Sequence, residues 1–166
     1  MKVSGPITPC LWFNTEAEEA AKFYVSIFEN SKMGTVSYYS NEGKEIHGKN
    51  HGSVMVAEFE INGQKFTALN GGPQFKFSEA ISFQLPCESQ KEIDYFSEKL
   101  TEGGEQGPCG WVKDKFGLSW QIFPAVMTKM LSDPDRKKVD RVTKAFMQMK
   151  KFDLAAIERA YADKAA

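Results

Sequence analysis

The sequence predicts an α+β fold made of two copies of a strand–helix–strands unit, followed by a helical tail. Three observations carry this. A strand pattern followed by a helix with a capping signal occurs twice, 74 residues apart: Ile7 lies over Ile81, Leu11 over Leu85, Thr15 over Ser89 and Glu18 over Glu92. Each copy then ends in a hairpin signal, Asn62-Gly63 in the first and Asp114-Lys115-Phe116-Gly117 in the second. Beyond residue 125 the strand patterns stop and helical spacing takes over. The expected organisation is one domain over 1–125, with modules of about 1–72 and 78–125, and a helical extension over 126–166.

Taken in order, Ile7–Phe13 reads as the first strand. Thr15 through Glu18 has the capping-box form, a hydroxyl at N-cap and a carboxylate three residues on. Ala20, Phe23, Tyr24, Ile27 and Phe28 then recur at helical spacing, which predicts a helix near 16–29. A strand is expected near Thr35–Tyr39, a glycine-punctuated loop over Ser40–Gly52, and paired strands over Ser53–Ile61 and Gln64–Asn70. The second copy opens with Ile81–Leu85. Ser89 to Glu92 forms another capping box, Ile93, Phe96 and Leu100 share a helix face, and Gly103-Gly104 ends the helix. Trp111–Lys113 and Leu118–Phe123 complete it. In the tail, Asp133-Pro134 reads as an N-cap and first helical residue, with Val139, Val142, Phe146 and Met149 on one stripe over about 134–150. Asp153 caps a last helix carrying Leu154, Ile157 and Tyr161 on one face.

Composition narrows the function classes. Of the 166 residues 42% are hydrophobic and 26% charged, enough to build a core and not a disordered mix. Lys and Arg total 21 against 22 Asp and Glu, so no excess positive charge attracts nucleic acid or an anionic membrane. No apolar run approaches the ~20 residues of a membrane span, and Met1–Pro6 has no apolar leader stretch. Cys10, Cys87 and Cys109 are odd in number and unclustered, which predicts free thiols in a cytoplasmic protein.

Strand alternation separates two faces. Ile7, Leu11 and Phe13 suit packing under the helix, leaving Thr8, Cys10, Trp12 and Asn14 on the other side. Ser82 and Gln84 oppose Ile81, Phe83 and Leu85, and Ser119, Gln121 and Phe123 share one face of the last strand. The candidate ligand-binding residues are Thr8, Cys10, Trp12, Asn70, Ser82, Gln84, Ser119 and Gln121, a set suited to a neutral, partly apolar small molecule. Gln121 is expected to be hydrogen-bonded, with Ser82 or Gln84 as protein partners. His47 and His51 stand four apart, but among glycines, so a metal pair there is disfavoured. Cys10 reads as a small buried hydrophobe, and of Trp111 and Trp120 one is expected in the core and one against ligand.

The segments ITPCLWF and AEEAAKFYVSIF, then ALNGGP, WVKDKFGLSWQIFP and the tail LSDPDRKKVDRVTKAFMQMKKFDLAAIERAYA together resemble the PhnB-like branch of the vicinal oxygen chelate superfamily. That superfamily includes glyoxalase I, extradiol dioxygenases and bleomycin-resistance proteins, and the branch often carries the label of a demethylubiquinone methyltransferase. The resemblance implies paired βαβββ modules around a cleft and a homodimer. It also implies a divalent metal in the enzymes, held by His, Glu or Gln. Carried onto this chain, the ligand positions fall on Gln121, near Ala68, on Thr8 or Pro9, and on Ala80 or Ser82, none of them His, Glu or Asp. The expectation is therefore a small-molecule-binding or metal-independent member with no cofactor. The alternatives are a metal-dependent lyase, isomerase or dioxygenase using His47, His51 or Gln121, and a dimeric scaffold. The methyltransferase label finds no support in turn chemistry: a Rossmann-like enzyme needs glycines after its first strand, where Asn14-Thr15-Glu16-Ala17 stands instead.

Overall fold

The computed structural model describes residues 1–162, which fall into two compact units, Met1–Lys76 and a second beginning at Phe77. In the first, β1 (Cys10–Phe13) leads into α1 (Ala17–Ile27), β2 (Lys32–Tyr38), the single turn α2 (Lys44–His47), β3 (Val54–Ile61) and β4 (Gln64–Asn70). The strands form one sheet in the order β1-β4-β3-β2, with β1 parallel to β4 and the other pairs antiparallel. The second unit repeats the plan with β5 (Ser82–Cys87), α3 (Gln90–Thr101), β6 (Glu105–Gln106), β7 (Trp111–Lys113) and β8 (Ser119–Pro124). Its order, β5-β8-β7-β6 with β5 parallel to β8, matches the first strand for strand. These are paired βαβββ modules, as the internal repeat requires.

Each helix covers one face of its own sheet. Ala17, Ala20, Ala21 and Tyr24 of α1 are buried, with Tyr24 stacked on Phe59 and Phe59 on Phe66. In the second unit Ile93 and Leu100 of α3 are buried, as are Val112, Trp120 and Ile122. Trp120 can sit there because its indole N–H donates to Asp114 Oδ2 at 2.9 Å, while Asp114 Oδ1 accepts the amides of Phe116 and Leu118 and fixes the hairpin turn. The Asn62-Gly63 turn has positive φ at both residues, which the twist of a two-residue hairpin demands.

Three helices follow β8: α4 (Met127–Leu131), α5 (Arg136–Phe146) and α6 (Leu154–Ala162). Met127, Met130, Val142, Phe152 and Ile157 form a cluster of their own, against which Cys109, Phe123, Phe146, Met149 and Tyr161 pack. Gln90 of α3 ties this tail down, donating to the Phe152 carbonyl at 3.0 Å and accepting the Leu154 amide at 2.8 Å.

Several expectations need correction. β1 starts only at Cys10, since Pro9 has no N–H to give, and both Ile7 and Ile81 are exposed rather than packed under a helix. The Thr15 capping box does not form: α1 has Glu16 at its N-cap with no side-chain cap of its own, and Glu16 Oε2 accepts the Thr15 amide instead. The stretch expected as plain loop contains α2, bounded by Gly43 and Gly48, both in the left-handed region. β6 and α4 carry too few residues to show a period. Asp135, not Asp133, caps α5, accepting the Lys137 amide at 3.0 Å; Asp133 in turn holds the Asp135 amide. At the start of α3 and α6 the expected caps are present, Ser89 with Glu92 and Asp153 with Ala156. The last four residues of the expected extension lie outside the described residues.

Candidate functional site

In each unit the sheet face away from the helix carries the candidate side chains on the strands, apart from Asn70. Register defines it in the second unit. Ser82, Ser119, Lys113 and Glu105 are successive cross-strand neighbours, and Gln84, Gln121 and Trp111 form the next row. Pro86 and Phe123 follow, Phe123 packing against the tail cluster. Gln121 is half-buried and donates through Nε2 to Ser82 Oγ at 2.7 Å, one of the two protein partners expected from sequence. Gln84 is exposed. Ser119 is 1% exposed, and its Oγ meets no hydrogen-bonding partner among the described residues. An unpaired buried hydroxyl costs about 1–3 kcal/mol. Of the two tryptophans, Trp120 is the core residue and Trp111 stands half-buried beside Gln121.

The positive charge on this face is neutralised. Lys113 Nζ pairs with Glu79, and with Glu105 at 3.4 Å. Its ammonium is held above its ordinary value, chiefly by the hydrogen bond to Glu79, and the Glu79 carboxyl is correspondingly lowered.

In the first unit Cys10, Thr67 and Glu58 form one row of the open face, and Trp12, Leu69 and Val56 the next. Thr8 precedes β1, half-buried, its hydroxyl donating to the Pro6 carbonyl at 3.3 Å. Cys10 is not the buried hydrophobe expected: it is exposed at the strand start, with its thiol raised by partial desolvation. Trp12 is locked in place: its indole N–H donates to the Gly72 carbonyl at 2.8 Å, and Phe75 packs edge-on at 4.9 Å. The ring lies so close to Gly71 that a Cβ there would be 2.1 Å from it. Trp12 can therefore offer a ligand only its ring.

Asn70 stands apart from the other candidates. It shares the core face with Phe66 and Ala68, is 6% exposed, and spends its amide on the Ala17 N–H (2.8 Å) and the Val54 carbonyl (3.0 Å). Its carbonyl also accepts from the Tyr39 hydroxyl at 2.7 Å. It borders a groove of about 310 Å³ with Asn14, Thr15, Lys49 and Ser53. Parity likewise corrects the position near Ala68: Ala68 is fully buried, and register makes Thr67 the counterpart of Gln121. Thr67, Glu58, Lys113 and the placement of Trp111 escaped sequence reasoning. The last could have been found by pairing residues across the Asp114–Gly117 turn.

The donors present do not fit a divalent metal. On the open faces they are hydroxyls, a thiol biased toward its protonated form and amides; of the carboxylates, Glu58 stands beside Thr67 and Glu105 is paired with Lys113. Among the described residues no three His, Cys, Asp or Glu side chains gather in a metal-binding group. His47 is occupied locally: its Nδ1 accepts the Lys49 amide at 2.9 Å, its Nε2 faces the Glu42 carbonyl at 3.3 Å, and its ring lies against Tyr39. His51 is an exposed turn residue.

The family described as 3-demethylubiquinone-9 3-methyltransferase matches residues 5–123. The chain belongs to that family. A PhnB protein from Bacillus cereus carrying the same description is 34% identical, with a TM-score of 0.63 over 73% of this chain and 100% of its own. Protein PA1353 from Pseudomonas aeruginosa is 20% identical, with a TM-score of 0.58 over 72% of this chain and 96% of its own. The fosfomycin resistance protein FosX from Listeria monocytogenes, in a complex with Mn(II) and 1S,2S-dihydroxypropylphosphonic acid, is 18% identical and reaches 0.54 over 79% of this chain and 100% of its own. No curated protein matches the chain. The fold is the glyoxalase/bleomycin-resistance type, shared with the PhnB and FosX structures. The methyltransferase in the family description is not matched by a doubly wound sheet here: each sheet has four strands and a single parallel pair. Among the described residues no helix is long and apolar enough to cross a membrane.

Proposed function

We infer that this PhnB-like chain binds a small, uncharged or weakly polar molecule on the open faces of its sheets, without a divalent metal. The observation that carries the reading is the hydrogen bond from Gln121 to Ser82. Its half-buried position presents an amide that donates and accepts, beside an indole and away from any unpaired charge. Mn(II) accompanies the FosX neighbour, whereas among the described residues of this chain no three His, Cys, Asp or Glu side chains gather to hold such an ion. Nothing in the sheets supports methyl transfer from a Rossmann-bound cofactor.

A homodimer and a cytoplasmic location belong to the same proposal. The tail stripes do not supply a dimer surface, because Val142 and Ile157 are covered within the chain itself. Exposed Ile7 and Phe75 in the first unit and Ile81 in the second support association instead, and light scattering at micromolar concentration measures it. Three free cysteines suit a reducing compartment, and no nucleic acid or membrane partner is proposed.

The test is a thermal-shift screen of metabolites run in EDTA. At least one neutral metabolite should raise the unfolding midpoint, and Gln121→Leu should diminish the effect. No response to any metabolite, or a response that appears only on adding Mn(II), contradicts the reading.

A further inference from the structure

We propose that Ser119, Ser82 and Gln121 form a subsite for one uncharged hydrogen-bonding group of that molecule (a carboxamide, carbonyl or hydroxyl), with the Trp111 ring as its apolar wall. The proposal rests on the small-molecule reading above and deepens it. Ser119 is the decisive residue. Its side chain is 1% exposed, its Oγ has no partner among the described residues, and register sets it on the same face as Ser82 and Gln121. Gln121 commits one amide hydrogen to Ser82 Oγ, and its Oε1 bonds to no described residue. The Ser82 hydroxyl accepts that bond and keeps its own hydrogen. The cluster thus retains two O–H donors, an N–H donor and a carbonyl acceptor while making one internal bond. A folded core normally pairs such groups, so this surplus points to a ligand group that completes it.

The chemistry selects against charge. None of the three side chains ionises, and the neighbouring Lys113 is already held by Glu79 and Glu105. An anion or a cation entering here would exchange its hydration for dipoles alone, whereas a carboxamide both donates and accepts as the cluster requires. Trp111, directly opposite Gln121 in the register, gives a planar ligand a ring to lie against.

Benzamide, benzoate and benzylamine present one ring with a neutral, an anionic and a cationic head. Each is titrated into the full chain while NMR follows the Gln121 side-chain amide and the Trp111 indole N–H. Benzamide should shift both resonances, and benzoate and benzylamine should need at least tenfold higher concentration. Ser119→Ala should raise the benzamide Kd about fivefold without lowering the unfolding midpoint, and Ser82→Ala should act in the same direction. Equal response to a charged probe, an unchanged Kd in both variants, or no shift at these two resonances overturns the subsite. Shifts confined to Trp12 overturn it too, yet leave the wider small-molecule reading standing. Binding of none of the three also overturns it, and the metabolite screen decides the wider reading separately.

Discussion

The side chain of Asn70, the last residue of β4, caps the helix that begins 53 residues earlier: its Oδ1 accepts the Ala17 N–H at 2.8 Å. The same amide donates to Val54, so one buried side chain joins β3, β4 and α1. Replacing Asn70 with Ala removes the cap and leaves the Val54 carbonyl short of a donor, a loss of about 2–3 kcal/mol. Asn70→Asp keeps the acceptor and should cost less than the alanine variant. Urea denaturation of the two variants checks this; equal stability to wild type in Asn70→Ala would contradict the role.

Gly71 should not tolerate a side chain. A Cβ 2.1 Å from the Trp12 ring must displace the indole and break its bond to Gly72. Gly71→Ala is expected to shift the Trp12 indole N–H resonance toward its solvent-exposed position and to destabilise by about 1–3 kcal/mol. An unmoved resonance would show that the ring is not seated against this glycine.

Two cysteines should differ sharply in reactivity. Cys87 is buried, and desolvation with the nearby Glu92 and Glu88 carboxylates pushes its thiol up to about 12. Cys10 is exposed and only modestly raised. At pH 8 iodoacetamide should modify Cys10 before Cys87, with Cys87 reacting only on unfolding. Peptide mapping reads the order directly, and early modification of Cys87 would contradict its burial.

The tail should loosen at both pH extremes. Tyr161 donates to Asp133, lowering the carboxyl below its ordinary value and raising the phenol above its own. A lowered carboxyl contributes stability above about pH 4 that is lost as pH falls through its folded value. A raised phenol contributes below about pH 10 and loses its contribution as pH rises through the folded value. Hydrogen exchange in α6 should therefore be slower in wild type than in Tyr161→Phe between these limits, with the difference shrinking outside them. A difference that does not vary with pH would assign the effect to packing alone.

The repeat was legible because both copies write the same local chemistry. Ser89 with Glu92 caps α3, and Asn62-Gly63 and Asp114–Gly117 turn their hairpins as their residue types require. Gln121 was legible too, as alternation and the repeat suffice to place it near Ser82. What failed depends on long-range contacts. Thr15 has the right type for a cap, but Asn70 supplies the acceptor from another strand. Asn70 was a cleft candidate, but alternation from Phe66 and Ala68 puts it on the core face. The cover of the tail stripes, Met127, Met130 and Phe152, was not legible because it lies in segments too short to show a period.

Native mass spectrometry of the untreated full chain, purified without chelator, tests metal-independent small-molecule binding most directly. The account predicts no stoichiometric divalent ion and a small organic adduct that Gln121→Leu loses while remaining folded. A stoichiometric divalent metal on the wild-type chain, or an organic adduct retained undiminished by the variant, would contradict it.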